Sequence, residues 1–388
     1  MHPTTSIFLD LLRFSAAIIV LLSHMTSRKF NSVFPWVSWG HEAVIVFFVM
    51  SGFVIAYVVA DRERSVPKYA AARLGRLYSV VIPALVITAV LDAFGRSLEP
   101  EVYSSVPNDY AVLRLGANLF FVQQNWNFTI RPLSNGPFWS LGFEFWYYCI
   151  FGSWVLFCGR LRIALTVLFS LCAGPRIIAF LPIWLLGVLA YKINCTWKPS
   201  PVFLRGIFLF SVAAMFYVVV NGNPLSSITK ALHADYESRY FEVASLKIFL
   251  GDIPRVFENF FLGILVALSI ISVHGFRAEK ILKTKLATTI RYLAQSTFTL
   301  YLFHFPVIFF LYAALKPDKN SALQVGTIAI LVFLSCLAFS YIGERNGYAY
   351  RRLFLSGINF ILRISSFTVR SNSNSSPITR RASSNRLT

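Results

Sequence analysis

Long apolar segments recur along this chain and are separated by shorter polar ones. A transmembrane α-helix needs roughly 20 apolar residues to cross the hydrocarbon core. About ten segments approach that length, so we predict an all-α integral membrane protein built as a bundle of about ten transmembrane helices. The predicted spans are about 6–27, 42–60, 77–95, 138–158, 161–174, 177–192, 202–221, 256–274, 290–314 and 323–343.

The fifth and sixth spans have the weakest pattern because Gly174, Pro175 and Arg176 interrupt the apolar run between residues 161 and 192. Glycine and proline disturb the hydrogen-bond ladder of a helix, and a membrane tolerates such breaks only where the backbone groups find other partners. The segment is compatible with two short spans or with one kinked hairpin.

The composition agrees with a membrane location. Of the 388 residues, 56% are hydrophobic and only 14% are charged, and the mean hydropathy is +0.62, whereas a soluble domain is about 25% charged. The formal net charge is +19, but the excess lies in short loops between apolar segments, which argues against nucleic-acid binding. The cysteines lack metal-ligand spacing and predict neither a disulfide framework nor a metal site; they are Cys149, Cys158, Cys172, Cys195 and Cys336.

The loop charges predict the orientation of the bundle. Roughly two thirds of the Lys and Arg residues follow the even-numbered spans or lie in the C-terminal tail, which places both termini in the cytoplasm by the positive-inside rule. The loops at about 96–137 and 222–255 then face outward. We predict a membrane domain over residues 1–350, and a cytoplasmic, basic, Ser/Arg-rich tail over 351–388 that is disordered and contacts anionic lipid.

The first span contains three ionisable side chains, Asp10, Arg13 and His24. A charge in hydrocarbon costs several kcal/mol unless it is paired, so each is a functional candidate. Arg13 and His24 are three helical turns plus about 20° apart, so they share one face at a separation of about 16 Å. The simpler interpretation is that Asp10 neutralises Arg13 while His24 lies at the interface. Asp10 and Arg13 within the first apolar run also argue against a cleavable signal peptide, whose hydrophobic region is uninterrupted.

Polar residues also interrupt spans two, three and four. Ser51 and Gly52 lie in mid-span and are typical of a helix-packing notch. Arg73 and Arg76 are i, i+3 on a helix entering the membrane, where they serve either as positive-inside anchors or as two guanidinium forks for a phosphate-bearing ligand. Glu144 lies close in depth to His24, and a carboxylate beside a histidine can fix its tautomer.

The late spans contain two more candidates. His304 lies near mid-membrane beside Pro306, which is expected to kink the helix, and a helix–helix hydrogen bond would account for this histidine as well as a functional role. Glu344 and Arg345 close the last span and favour a structural anchor.

Several of these residues fall in motifs that resemble acyltransferase family 3, the membrane O-acyltransferases of bacterial carbohydrates. The motifs occur in the order of the family and extend from residue 6 to about 350. The chain differs where Asn346 follows the closing Glu344-Arg345, a position commonly held by proline. We also expect no extracellular esterase-like domain at the C-terminus, unlike members of the family that modify peptidoglycan. The similar motifs are the pair Arg13 and His24 (R-x10-H), Phe47–Phe53 (FFVMSGF), Arg73–Arg76 (RLGR), Trp139–Glu144 (WSLGFE) and Ser296–Pro306 (STFTLYLFHFP).

The resemblance implies transfer of an acyl group, usually acetyl, from cytosolic acyl-coenzyme A to a carbohydrate hydroxyl. Acyl-coenzyme A is a co-substrate, and no permanently bound cofactor or metal is implied. We expect His24 to act as general base or to carry the acyl group, with Glu144 orienting the imidazole. Arg13 is the third catalytic candidate, and Arg73 and Arg76 are expected to bind the anionic end of coenzyme A. The expected lining residues are Ser51, Trp139, Tyr301 and His304.

We expect the protein to lie in the bacterial inner membrane. Its expected partners are acyl-coenzyme A, membrane lipid, polysaccharide-assembly proteins and a carbohydrate or glycolipid acceptor, with no nucleic acid. Exopolysaccharide, lipopolysaccharide O-antigen, a lipo-oligosaccharide or a small glycosylated metabolite would each suit as acceptor. The outward loops are expected to select among them through residues such as Trp126, His233, Tyr236 and Tyr240.

Ionisable residues within membrane spans are also compatible with two other classes of function. A proton-coupled transporter or flippase of a lipid-linked sugar or small molecule would use His24, Glu144 and His304 as a proton relay. That class is typically built from an internal repeat with interrupted helices, and the sequence shows no such repeat. A purely structural membrane protein leaves Arg13 and His24 on one helix face unexplained.

Overall fold

The computed structural model describes residues 1–229, 231, 253–276 and 284–373. These ranges are α-helical, with loops and short 3₁₀ turns between the helices and no β-strand within them, which confirms the all-α class. The helices are α1 (Pro3–Met25), α2 (Gly40–Asp61), α3 (Val66–Leu98), α4 (Ala111–Leu119), α5 (Trp139–Leu156), α6 (Gly159–Ala173), α7 (Pro175–Thr196), α8 (Pro201–Asn221), α9 (Ile253–Ser272), α10 (Lys285–Ala294), α11 (Thr297–Leu315), α12 (Ala322–Ser340) and α13 (Gly347–Ser373).

Eight stretches of the described chain are long and apolar enough to cross a membrane. They are α1, α2, α3, α7, α8, α9, α11 and a continuous stretch that covers α12 and the first part of α13. Two of the predicted spans, 138–158 and 161–174, form helices that do not meet this requirement. Helix α5 is less apolar than a typical span because it contains Glu144 and several Trp and Tyr residues. Helix α6 is too short, with only 15 residues.

The interruption near residue 174 separates two helices, α6 and α7. Gly174 has φ +85°, a left-handed conformation that favours glycine, and Pro175 is the first residue of α7, where its missing N–H costs no hydrogen bond. A Cβ on Gly174 would lie 2.6 Å from the backbone nitrogen of Trp126, in the loop before α5. The segment therefore forms two helices with a tight turn between them.

Helices α2 and α7 approach each other closely through two glycines. A Cβ on Gly52 would lie 2.0 Å from the carbonyl oxygen of Trp184, and one on Gly187 would lie 1.9 Å from that of Val49. The packing notch predicted at Ser51-Gly52 is thus formed by Gly52, while Ser51 is left to face the interior of the bundle.

The predicted disorder from residue 351 onward is wrong in its first part. Residues 347–373 form helix α13, which packs on α3: a Cβ on Gly75 would lie 2.7 Å from the Cα of Arg351. Phe354 also packs on Tyr78, with ring centroids 5.4 Å apart. The apolar residues scattered among the arginines form the face of an amphipathic helix rather than part of a polar tail. Residues 374–388 lie outside the described residues.

The loop before α5 is tied to α3 and α11 by buried polar contacts. Ser134 donates through its backbone N–H and its hydroxyl to the carboxylate of Asp92, at 2.8 and 2.6 Å. Asn135 Nδ2 donates to the carbonyl oxygen of Leu302 at 2.8 Å. Pro306 has no N–H for that carbonyl four residues earlier, so Asn135 replaces the helical bond that proline removes.

The two loops predicted to face outward are described to different extents. The first contains α4 and an exposed Trp126. The second loop contains His233, Tyr236 and Tyr240, which the sequence predicts to take part in acceptor selection. These three residues lie outside the described residues. The end of the bundle at which α1 begins is called the N-terminal face below.

Candidate functional site

A narrow central cavity lies between α1, α2, α3, α5 and α11. On α2 its lining extends from Val44 to Ile55, which corresponds to about 16 Å along the helix axis. The walls are mostly apolar, with a few charged and hydroxyl side chains. The lining residues are Arg13, Val44, Phe47, Phe48, Met50, Ser51, Val54, Ile55, Arg76, Ser140, Leu141, Glu144, Thr297, Phe298 and Tyr301.

A second cavity, called the basic mouth, adjoins the central one among the helix ends that lie toward the N-terminal face. Its volume is about 820 Å³. Arg13 and Arg76 line both cavities, so the two spaces meet at these guanidinium groups. The residues that line the mouth are Asp10, Arg13, Arg76, Ala294, Gln295, Glu344 and Arg345.

Neither Arg13 nor Arg76 forms an ion pair with another residue of the described ranges. The pairing of Asp10 with Arg13, expected from their i, i+3 spacing, is not among the ion pairs that these ranges contain, although both residues line the mouth. The Arg76 guanidinium lies over the Phe298 ring, 5.8 Å from its centroid. Both arginines are half-buried and can therefore offer donor groups to a ligand at the junction of the two cavities.

Arg73 does not join Arg76 at the cavity. Its Nη2 lies 2.8 Å from both carboxylate oxygens of Glu63, and both side chains are almost fully buried. The guanidinium also lies between the rings of Tyr69 and Tyr148, 5.8 and 5.6 Å from their centroids. The expectation that Arg73 and Arg76 form one twin fork is wrong, because a loop carboxylate between α2 and α3 occupies the first of them.

Glu144 belongs to a hydrogen-bonded group in the cavity wall and not to His24. Its Oε1 accepts from the Ser51 hydroxyl at 3.0 Å and from the Tyr148 hydroxyl. Both bonds use Oε1, so within the described ranges Oε2 is available to a ligand in the cavity. The expectation that Glu144 orients the imidazole is therefore corrected: the neighbouring hydroxyls of α2 and α5 hold this carboxylate.

His24 does not line the central cavity. Its ring packs against Phe305 at 4.4 Å and against His304 at 5.2 Å between centroids. Arg13 lines the cavity together with Thr297 and Phe298 of α11, and His24 packs on His304 and Phe305 of the same helix. Both α1 side chains thus lie on the side of α11, as their spacing predicts. On α11, His304 follows the cavity-lining Tyr301 by three residues, or about 4.5 Å of rise.

Tyr301 and Ser140 line the cavity, and Tyr301 lies near His304. The hydroxyl oxygens of Tyr301 and Ser140 are 2.8 Å apart, and Tyr301 also donates to the carbonyl oxygen of Pro137 at 2.8 Å. The ring centroids of Tyr301 and His304 are 6.4 Å apart. Trp139, predicted as a lining residue, instead stacks on His41 outside the cavity, with centroids 6.0 Å apart.

Glu344, which the sequence predicts to be a structural anchor, also positions one of the helices that form the site. Its Oε2 accepts from the backbone N–H groups of Phe298 and Thr299, each at 3.0 Å, and so caps the first turn of α11. The carboxylate thereby fixes the start of the helix that carries Tyr301 and His304. The Glu-Arg pair that closes the predicted last span was the only sequence signal for it.

The titratable residues that the structure describes do not cluster as metal ligands. Within the part of the chain that the structure describes, no group of three or more His, Cys, Asp or Glu residues is placed to hold a metal ion. The five cysteines are free thiols.

Comparisons with known proteins place these features in a family. The family described as an acyltransferase domain matches residues 6–345. An O-acetyl transferase of Shigella phage Sf6 is 28% identical over 193 residues, which cover 45% of this chain and 56% of that protein. The acyltransferase MdmB of Streptomyces mycarofaciens is 30% identical over 152 residues, or 37% of each chain.

The aligned parts thus span about half of the first relative and about a third of the second. No solved structure matches the chain. The family match extends over nearly the whole chain and includes every helix that surrounds the two cavities. The protein with this bundle and this pair of joined cavities therefore belongs to acyltransferase family 3, a family of transferases.

Proposed function

We propose that the protein transfers an acyl group, in the first instance acetyl, from cytosolic acyl-coenzyme A to a hydroxyl of a carbohydrate in or outside the bacterial inner membrane. The observation that carries this proposal is the junction of the basic mouth with the central cavity at Arg13 and Arg76. An O-acetyl transferase among the relatives supports acetyl as the group transferred.

The charge of the mouth suits the anionic end of the donor. Three guanidinium groups, those of Arg13, Arg76 and Arg345, line it against the carboxylates of Asp10 and Glu344. Arg345 is held by Ser340 and Ser296 at 3.1 and 3.0 Å. Arg13 and Arg76 are left to bind phosphate oxygens, which planar guanidinium forks recognise well. Arg73, which is paired with Glu63, would stabilise the bundle near the mouth and not touch the donor.

The central cavity suits the slender arm of coenzyme A. An uncharged chain with amide groups needs a long space of mostly apolar walls with a few hydrogen-bonding positions. The cavity extends for about 16 Å along α2. Ser51 and Glu144 lie along one wall, and Ser140 and Tyr301 lie at the far end. Glu144 is therefore assigned to the donor arm.

The chemical step is assigned to His24, which packs beside His304, the residue one turn after Tyr301 on α11. As general base, its imidazole takes the proton of the acceptor hydroxyl while the oxygen forms a bond to the thioester carbonyl carbon. The carbon–sulfur bond breaks, the thiolate leaves, and the imidazolium returns the proton to sulfur. The products are the carbohydrate ester and free coenzyme A. In a two-step variant, His24 carries the acyl group between donor and acceptor.

This route requires movement at the far end of the cavity. His24 does not line the cavity, so the contact between the Tyr301 and Ser140 hydroxyls must open, or the thioester must pass beside it, before the carbonyl carbon reaches the imidazole. The N-terminal face is cytoplasmic in this proposal, which agrees with the excess of Lys and Arg in the loops predicted on that side.

A transfer assay with purified protein tests the proposal. Protein in detergent is mixed with radiolabelled acetyl-coenzyme A and surface carbohydrate purified from a strain that lacks this protein. We expect label on the carbohydrate, and a loss of at least 100-fold in His24→Ala, in line with the usual contribution of a general base. The control is His2→Ala, which removes an exposed histidine.

The same assay separates an enzyme from a transporter. An acyltransferase works in detergent without an ion gradient, whereas a proton-coupled transporter requires one. Absence of transfer by the wild-type protein, or full transfer by His24→Ala, would contradict the proposal.

A further inference from the structure

His304 is held on α11 so that one of its ring nitrogens is left without a partner. The side chain is fully buried, and its Nδ1 lies 2.9 Å from the carbonyl oxygen of Leu300. A carbonyl oxygen only accepts hydrogen bonds, so the proton of the neutral ring is on Nδ1, and Nε2 has a lone pair. Within the described residues Nε2 has no hydrogen-bond partner. A buried acceptor in this state costs free energy, and an acquired partner would relieve that cost.

The nearest other imidazole to His304 is that of His24. The two imidazole centroids are 5.2 Å apart, with the ring planes inclined by 33°. Two imidazoles joined by an N–H···N hydrogen bond of ordinary length have centroids about 5 Å apart. The observed separation of the two rings thus matches that of a hydrogen-bonded imidazole pair, and forming the bond requires the His24 ring to turn while His304 keeps its bond to Leu300.

We propose that His304 is the positioning residue of His24 in the transfer reaction. Its Nε2 accepts a hydrogen bond from one N–H of His24, which fixes the tautomer and leaves the lone pair of the other nitrogen facing the acceptor hydroxyl. When His24 takes the hydroxyl proton, the bond to His304 becomes charge-assisted and stabilises the imidazolium until the proton passes to sulfur. This inference rests on the proposed function and gives to His304 the role that sequence reasoning gave to Glu144.

Hydrogen bonds on both sides of His304 hold this segment of α11 in place. Tyr301, one turn earlier on α11, is held by Ser140 and Pro137. Asn135 binds the carbonyl oxygen that Pro306 leaves free. The N-terminal turn of the same helix is capped by Glu344. A positioning residue must itself be held, and these contacts hold the segment of α11 on both sides of His304.

Two substitutions separate positioning from a structural role. His304→Asn keeps an amide N–H near the place of Nδ1 and can still donate to the Leu300 carbonyl, but it has no acceptor near Nε2. His304→Gln is longer and brings an amide oxygen close to the place of Nε2. The measurements are kcat and KM for acetyl-coenzyme A in the transfer assay, together with the thermal unfolding midpoint of each variant.

We expect His304→Asn to lower kcat by about 10- to 100-fold with KM unchanged within about twofold, the size of effect typical of an orienting partner. His304→Gln should recover at least about tenfold of that loss. The inference is overturned if His304→Asn retains kcat within twofold of wild type. It is also overturned if both variants lose kcat equally in proportion to a lower unfolding midpoint, because that result shows a structural role.

Failure of this inference is distinguishable from failure of the proposed function. If the wild-type protein transfers no label, or His24→Ala transfers it fully, the proposed function fails. If wild type is active, His24→Ala is inactive and His304→Asn behaves as wild type, the general base stands and only the positioning role is wrong.

Discussion

Arg73 and Arg76 are one helical turn apart on α3, and replacing each with glutamine should give opposite results. Arg76 has no carboxylate partner in the described residues and lines both cavities, whereas Arg73 is paired with Glu63. We therefore expect Arg76→Gln to weaken donor binding with little effect on folding, and Arg73→Gln to lower stability with little effect on donor binding.

The magnitudes follow from these surroundings. A hydrogen bond to a charged group contributes about 1.5–3 kcal/mol, so losing one between Arg76 and the donor should raise KM for acetyl-coenzyme A by about 10- to 150-fold. Removal of Arg73 leaves the Glu63 carboxylate buried at 4% exposure without its partner. Breaking such a buried pair costs about 3–5 kcal/mol of unfolding free energy.

Kinetics and thermal unfolding of the two variants check this pair of expectations. A matched control is the double variant Arg73→Met with Glu63→Leu, which removes both charges and should recover most of the lost stability. A rise in KM in Arg73→Gln at unchanged stability, with normal KM in Arg76→Gln, would refute the assignment of the donor site.

Two further predictions concern other parts of the molecule. Gly52→Val should strongly lower the thermal unfolding midpoint, because the added Cβ would lie 2.0 Å from a carbonyl oxygen of α7. Gly326→Val is the control and should not lower it, since a Cβ there would have no neighbour within 4 Å. Equal midpoints of the two variants would contradict the close packing of α2 on α7. Burial and the positive charges of Lys319 and Arg131 lower the pKa of Lys29 below its usual value of 10.5. The folded protein thus releases this proton at lower pH than the unfolded chain, so this group makes stability rise with pH through the window just below 10.5. Acylation of Lys29 by an amine reagent, followed by mass spectrometry, should reach half its maximum rate at lower pH in the folded protein than in the unfolded one; the reverse order would contradict this environment.

The sequence was most informative along single helices. The eleven-residue spacing of Arg13 and His24 predicts a shared face, and both side chains do lie on the side of α11. Helical periodicity fixes direction and rise within one element, and apolar length identifies most of the spans. The notch at Gly52 was predictable for the same reason, because a small residue in a long apolar helix indicates a close helix–helix contact.

Partners between helices were not predictable in this way. Glu144 was placed at the depth of His24, but depth does not specify which neighbour a side chain faces, and Ser51 and Tyr148 hold it instead. Arg73 and Arg76 share a helix face, yet a carboxylate from a loop reaches only one of them. The Ser/Arg-rich composition of the tail predicts disorder from residue 351, because the arginines obscure the apolar face that packs on α3.

The most direct test of a passage from the basic mouth to His24 uses the sidedness of the reaction. Acceptor carbohydrate is trapped inside sealed proteoliposomes, and labelled acetyl-coenzyme A, which does not cross the bilayer, is added outside. Protein molecules with the N-terminal face outward should then label the trapped acceptor without an ion gradient, and His24→Ala should not. With donor and acceptor both outside, transfer should begin only after detergent opens the vesicles. Equal transfer in intact vesicles with both substrates outside would contradict a route through the bundle.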